Sequence, residues 1–202
     1  MHQLQFDFGT SSLGQRPPAR RARQARGVPD KLMFRLHPGQ PGPVAATVDT
    51  IRHAHCLTGN PRDPGHLHVS LVGLQDSRAI GDATVQDVLA AAAKVRAMAF
   101  DLVFDRIVSF RNGEPKPLVL LCGAGADLVV DLERRIVDAL NNMGFGLRRR
   151  AGFVPHCTLL YDNKLVPETP LDRPIIVRVE EFHLLRSQDG RRRSIGSWPL
   201  PG

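Results

Sequence analysis

Apolar positions along the chain follow two rhythms. Short β-rich runs, alternating or continuous, predict strands at Leu32–Leu36, His66–Leu74, residues 100–110, Pro117–Cys122, Phe153–Tyr161, Ile175–Arg186 and Ser194–Trp198. A 3.6-residue recurrence predicts helices between them. Residues 43–58 place Val44, Val48 and Ile51 on one stripe. Asp82–Ala97 repeats Val85, Val88, Leu89, Ala92 and Val95, with Asp82 as the expected N-cap, and Ala126–Met143 runs to Gly144. Turn signals at His37-Pro38-Gly39, Arg111-Asn112-Gly113 and Ser187–Gly190 separate these segments. The order strand-helix-strand-helix-strand, followed by a similar set, predicts an α+β fold. It would comprise two pseudo-symmetric lobes, each an antiparallel sheet with helices on its outer face, around a central cleft. The expected lobe junction lies near residues 111–117.

Two of the strands carry the same short pattern: His68-Val69-Ser70-Leu71 and His156-Cys157-Thr158-Leu159. Residues i and i+2 of a strand share a face, so each copy aims one imidazole and one hydroxyl at the same side of a sheet. Either copy alone reads most simply as a packed histidine beside an ordinary strand hydroxyl. Repetition in matched contexts, each after a proline turn, points instead to two half-sites facing each other.

Paired histidines suit phosphoester cleavage. One imidazole removes the proton of the attacking oxygen while the other protonates the departing one, and both titrate near neutrality. Attack and departure are roughly in line, so groups on opposite sides of phosphorus match the geometry. The Ser70 and Thr158 hydroxyls can donate hydrogen bonds to the non-bridging oxygens. This chemistry calls for no metal and no cofactor.

Composition changes the picture little, and charge changes it more. At 202 residues with 42% hydrophobic content, the chain is long enough for a substantial core. No apolar run is long enough to span a bilayer, and the N-terminus lacks a secretory core. A non-membrane, cytoplasmic protein is expected, with Cys56, Cys122 and Cys157 reduced. The formal net charge is +7. Much of it sits in residues 1–29, where Arg16, Arg20, Arg21, Arg23 and Arg26 face only Asp7. That segment reads as a disordered Arg-rich leader, and residues 30–202 as the folded domain. The remaining charge favours anionic partners.

The ordered set LMFRLHP, HLHVSLVGL, FDLVFDRIVSFRN, GFVPHCTLLYD and FHLLRSQDGRRRSIGSWPL resembles the RNA 2′,3′-cyclic phosphodiesterase / 2′-5′ RNA ligase family of the two-histidine (2H) phosphoesterase superfamily. The resemblance covers about residues 30–200. It implies a hydrolase that opens 2′,3′-cyclic phosphates on RNA ends or small nucleotides, leaving a 2′-phosphate, with reversible 2′-5′ ligation at the same site. It further implies His68 and His156 as the catalytic pair, and Ser70 and Thr158 as phosphate holders in the HxTx motifs. Ser70 stands where threonine is commoner, which keeps the hydroxyl but not the stiffening methyl. Ala151 occupies a position where the family often has arginine, and Arg150, within the run Arg148–Arg150, is the expected substitute on the substrate side. The alternative reading is a non-catalytic RNA-binding module of the same fold. Nothing in the sequence demands more than a monomer.

Three other features compete for attention. His53, His55, Cys56, His66 and His68 are zinc-ligand types, but the first three fall near a helix end and the last two alternate along an expected strand. No metal site is expected from them. Gly123-Ala124-Gly125 reads as a helix-entry turn more readily than as a phosphate loop. Arg191–Arg193 reads as a solvated hairpin tip. Tyr161 and Phe34 are the candidate aromatics for stacking on a base.

Overall fold

The computed structural model describes residues 30–37, 41–76 and 80–202. The Arg-rich leader and most of the His37-Pro38-Gly39 turn lie outside the described residues. Among the described residues eight strands form one antiparallel sheet: β1 (Asp30–Leu36), β2 (Val69–Asp76), β3 (Phe100–Ser109), β4 (Lys116–Cys122), β5 (His156–Asp162), β6 (Thr169–Val179), β7 (Glu181–Gln188) and β8 (Arg191–Pro199). Their order is β6-β3-β4-β5-β2-β1-β7-β8. Helices α1 (Pro41–His55), α2 (Asp82–Ala92) and α3 (Ala126–Asn141) share one apolar core with one face of the sheet. Helix α3 lies over β2 and β3 and packs on α2.

The sheet divides at its centre. Other neighbouring strands pair over five residues or more, but β2 and β5 meet only at Val69 and Cys157. On either side of that bridge stand matching halves, β2-β1-β7-β8 and β5-β4-β3-β6. The units β1-α1-β2 and β4-α3-β5 are equivalent across it. This is the expected α+β pseudo-symmetry. The chain partition differs from the expected one. Residues 111–117 hold the β3–β4 turn, inside one half, and the chain instead crosses between halves through α2 and again at Glu180.

The second crossing explains why Ile175–Arg186 looks continuous in sequence. Glu180 is the single residue between β6 and β7, which belong to opposite halves. One residue spans only ~8 Å between flanking Cα atoms, so the outer strands must meet at one end of the sheet. There the Leu200 N–H donates to the Glu180 carbonyl, and the Ala99 N–H donates to the Pro201 carbonyl, both at 2.7 Å. The sheet is therefore rolled. The helices keep solvent-exposed faces, so they sit outside the roll and the opposite face of the sheet is the inner, cleft face.

Where prediction and structure differ at element ends, local chemistry gives the reason. Gly81, not Asp82, is the α2 N-cap. The Asp82 carboxylate turns to Arg186 instead, at 3.5 Å. Arg186 is 5% exposed and forms its main ion pair with Asp30, itself 4% exposed, at 2.7 Å. The Ile80 N–H donates to the Asp30 carboxylate, and the Ile80 carbonyl accepts from Arg186. This cluster ties the start of β1, the end of β7 and the entry to α2 together. At the turn before α3, Gly125 has φ +82°, and a Cβ there would stand 2.2 Å from the Asp101 carbonyl oxygen. The Gly123–Gly125 turn is thus a helix entry packed against β3.

The Arg186 side-chain hydrogen bond, with further help from the Ile80 N–H, holds the Asp30 carboxyl below its usual range despite burial. A depressed carboxylate stabilises the fold above its unfolded pKa, and that contribution is lost as pH falls through the folded value. Arg186→Met leaves the buried carboxylate without its cation and should cost about 3–5 kcal/mol in urea unfolding at pH 7. The penalty should shrink toward pH 3. A penalty that stayed constant with pH would show that the ion pair is not its source.

Candidate active site

Register places the two motifs with near two-fold symmetry. Because Val69 faces Cys157, antiparallel pairing sets His68 opposite Thr158 and Ser70 opposite His156. His68 and His156 are then diagonal neighbours, at a Cα separation of ~7–8 Å. The bridging pair points outward into the core, Val69 1% and Cys157 0% exposed, so the four polar residues share the cleft face. In each strand the register slips by one residue directly after the motif hydroxyl. Leu71 and Val72 together oppose Phe34, and Leu159 is the extra residue between the Thr158 and Leu160 pairs. These bulges let two consecutive apolar residues be buried in each strand.

Each imidazole is fixed by the same device. His68 Nδ1 lies 2.7 Å from the His66 carbonyl, and His156 Nδ1 lies 2.7 Å from the Val154 carbonyl. A carbonyl can only accept, so each Nδ1 carries the proton and donates it. Both Nε2 atoms are left for the cleft, each able to accept a proton or, once protonated, to donate one. His66 itself lies in a 3₁₀ turn over Pro64–His66 and not in the strand. Its carbonyl serves the site while its ring is exposed. Phe110 packs edge-on against the His156 ring, with centroids 4.9 Å apart.

The approach to His68 is held by the other motif strand. The Thr58 and Gly59 N–H groups donate to Asp162 Oδ2 at 2.7 Å, and the Lys164 N–H donates to Oδ1 at 2.8 Å. Those backbone donors, Lys164 first, hold the Asp162 carboxyl below its ordinary range. A Cβ on Gly59 would come within 2.0 Å of the Tyr161 carbonyl oxygen, so only glycine permits this approach. Beyond it, Pro61 bridges Leu160 and the Arg62 N–H donates to the Leu159 carbonyl at 2.7 Å. Arg62 thus lies beside β5, its guanidinium over the Tyr161 ring at 5.2 Å and 3.2 Å from the phenol oxygen.

The electrostatics of the two histidines differ. Burial pushes His68 down to about 4, and the charges of Arg35, Arg62 and Arg192 push the same way. Burial also lowers His156, where Arg150 is the cation that adds to the effect. Arg150 is exposed, yet close enough to act on both His156 and Lys31. Its neighbour Arg149 reaches Glu133 of α3 at 3.6 Å, which anchors the segment.

The expected candidates therefore divide. His68, His156, Ser70 and Thr158 come together on one face, with Arg150 at the edge of His156. Phe34 does not join them: it is buried behind the sheet with Phe182 and Trp198. Tyr161 is 41% exposed and paired with Arg62. The histidines and cysteine at residues 53–68 do not converge, and among the described residues no three His, Cys, Asp or Glu side chains form a metal-holding group. Sequence reading missed Arg35 and Arg62. The alternation of β1 puts Lys31, Met33 and Arg35 on one face, but only the pairing of Arg35 with Ser70 shows which face it is. Arg62 sits in a loop that carries no periodic signal.

Comparison with known proteins agrees with this architecture. The model of the 2′-5′ RNA ligase superfamily matches residues 40–191. No curated protein matches the chain. Escherichia coli LigT complexed with 3′-AMP is similar at a TM-score of 0.67 and 21% identity, covering 87% of this chain and 100% of that one. The apo form of E. coli LigT gives 0.66 and 22%, covering 86% and 99%. TT0787 of Thermus thermophilus gives 0.66 and 19%, covering 85% and 98%. At these identities the likeness is one of fold. No helix among the described residues is long and apolar enough to cross a membrane.

Nitrogen-detected NMR should find both imidazoles neutral and protonated at Nδ1 at pH 7, with His68 titrating near 4. Unfolding restores ordinary imidazole basicity, so these residues should make the fold less stable as pH drops below about 6.5. The loss from His68 should level off below about 4. A His68 titration at 6.5 or above would contradict the burial and charge described.

Proposed function

The chain belongs to the 2′-5′ RNA ligase superfamily, and on that premise we propose that it hydrolyses 2′,3′-cyclic phosphates at RNA ends to 2′-phosphates, with His68 and His156 as base and acid. The observation that carries the reading is the matched pair of Nδ1-anchored imidazoles on one cleft face. A phosphate between them meets an Nε2 from each half, as in-line displacement requires.

In this scheme His68 Nε2 accepts a proton from water, whose oxygen forms the new bond to phosphorus. The bond from phosphorus to O3′ breaks, and His156 Nε2–H delivers a proton to O3′. The 2′ ester survives. Ser70 and Thr158 hold the non-bridging oxygens, while Arg62, which acts on His68, and Arg150, which acts on His156, supply positive charge. The roles follow from charge: three guanidinium groups act on His68 and one acts on His156. The proton therefore resides more readily on His156. A 5′-hydroxyl in place of water would form a 2′-5′ linkage by the same transfers. The reacting group is the same in an RNA end and in a small cyclic nucleotide, and E. coli LigT, which shares the fold, is complexed with the nucleotide 3′-AMP.

Purified protein in EDTA should convert an oligoribonucleotide with a 2′,3′-cyclic phosphate into one with a 2′-phosphate. His68→Ala and His156→Ala should each lower the rate about 10²–10⁴-fold while leaving folding intact. Thr158→Val should cost about 10–100-fold through the lost donor to phosphate. Undiminished activity in either histidine variant would refute the assignment. RNA binding without turnover by the wild type would favour the binding-module reading.

A further inference from the structure

The cleft face is unequal on its two sides. Along β5 and β4 the residues in register with the motif are apolar, Leu121 facing His156 and Val119 facing Thr158; on β3 Val108 continues the row, and Arg106, opposite Leu121, is ion-paired with Asp105 and Glu168. Across β2, β1, β7 and β8, Ser70 faces Arg35, Arg35 faces His183, and His183 faces Ser197. Further along the same face Lys31 and Arg192 both pair with Ser187. Arg192 was expected at a solvated hairpin tip, yet its charge acts on Lys31, Arg35 and His68.

Arg35 is the centre of this cationic strip. It sits one strand from Ser70, a step of ~4.8 Å, and its neighbours in register offer no carboxylate. Its Nε is buried without a hydrogen-bond partner, a costly condition for a charged donor unless a ligand supplies the acceptor. The strip ends at His183, whose Nε2 lies 3.6 Å from Glu181. That carboxylate would repel an anion placed farther out.

We propose that Arg35, with Arg192 and Lys31, forms a second phosphate site for the phosphodiester on the 5′ side of the reacting nucleotide. The protein is then built for RNA chains and not for lone nucleoside cyclic phosphates. This rests on the proposed cyclic phosphodiesterase reading and adds a direction to it. The terminal base lies over the apolar half, the cyclic phosphate sits between the histidines, and the chain leaves across the cationic half. A cyclic phosphate at an RNA 3′ end has its nearest other phosphate on the 5′ side, so one strip suffices.

The test compares kcat/KM for adenosine 2′,3′-cyclic phosphate, the same nucleotide bearing a 5′-phosphate, and the dinucleotide ApA ending in a 2′,3′-cyclic phosphate. The wild type should favour the dinucleotide over the nucleoside about 10–100-fold, the range for one charge-assisted contact. In Arg35→Met and Arg192→Met that ratio should fall toward one. A wild-type ratio near one, or a high ratio unchanged in both variants, would overturn the proposal. If the 5′-phosphorylated nucleotide matches the nucleoside while the dinucleotide is favoured, the strip reads the diester in its chain setting. If it matches the dinucleotide, any phosphate there suffices, and selection for RNA chains is overturned. Calorimetric affinities of adenosine 2′-phosphate and ApA 2′-phosphate give the same ratio without turnover. Absent hydrolysis with that affinity ratio intact would sink the hydrolysis reading alone, and equal affinities would sink the second site.

Discussion

One backbone contact, between Val69 and Cys157, organises the functional face. It is the sole strand pairing between β2, which begins one residue after His68, and β5, which begins at His156, and both of its side chains are buried in the core. Burying those two commits their neighbours on either side to the cleft, because side chains alternate across a strand. Four polar residues from segments far apart in sequence thereby meet. The contact is short because the halves part on either side of it. Burial pushes the Cys157 thiol up to about 12, so it stays protonated at the bridge.

Symmetry supplies the pair, and departures from symmetry give it direction. The imidazole anchors and the bulges after each hydroxyl are repeated in both strands, which makes the two histidines geometrically equal. Their surroundings are not. Arg35, Arg62 and Arg192 converge on His68, while Phe110 and Arg150 flank His156. Acid and base roles can differ between two chemically identical side chains when neighbouring charge separates their proton affinities. On the proposed reading, the unequal sides of the cleft also orient the RNA end.

Much of this was legible in the sequence, for definite reasons. Strand alternation placed His68 with Ser70 and His156 with Thr158, and helical stripes such as Val44, Val48 and Ile51 were read as core and are buried. The limits lay where tertiary pairing decides. The run from Ile175 to Arg186 keeps strand character through Glu180, so nothing local marks the point where the chain changes halves. Asp82 has good N-cap chemistry, but a buried arginine over a hundred residues away takes its carboxylate. Arg35 carries no signal in the sequence that sets it apart, and only its register opposite Ser70 places it beside the motif. His66 was expected to point with His68, and its backbone carbonyl turned out to matter more than its ring.

The account turns on two histidines that share a face and hold protons unequally, and the pH dependence of kcat/KM for a cyclic-phosphate RNA end tests this most directly. The wild type should give a bell with its optimum below about 6.5, since His68 must be neutral while His156 is protonated. Residual activity in His68→Ala should lose the acid limb, and that in His156→Ala should lose the alkaline limb. A flat wild-type profile, or limbs lost in the opposite sense, would contradict the account.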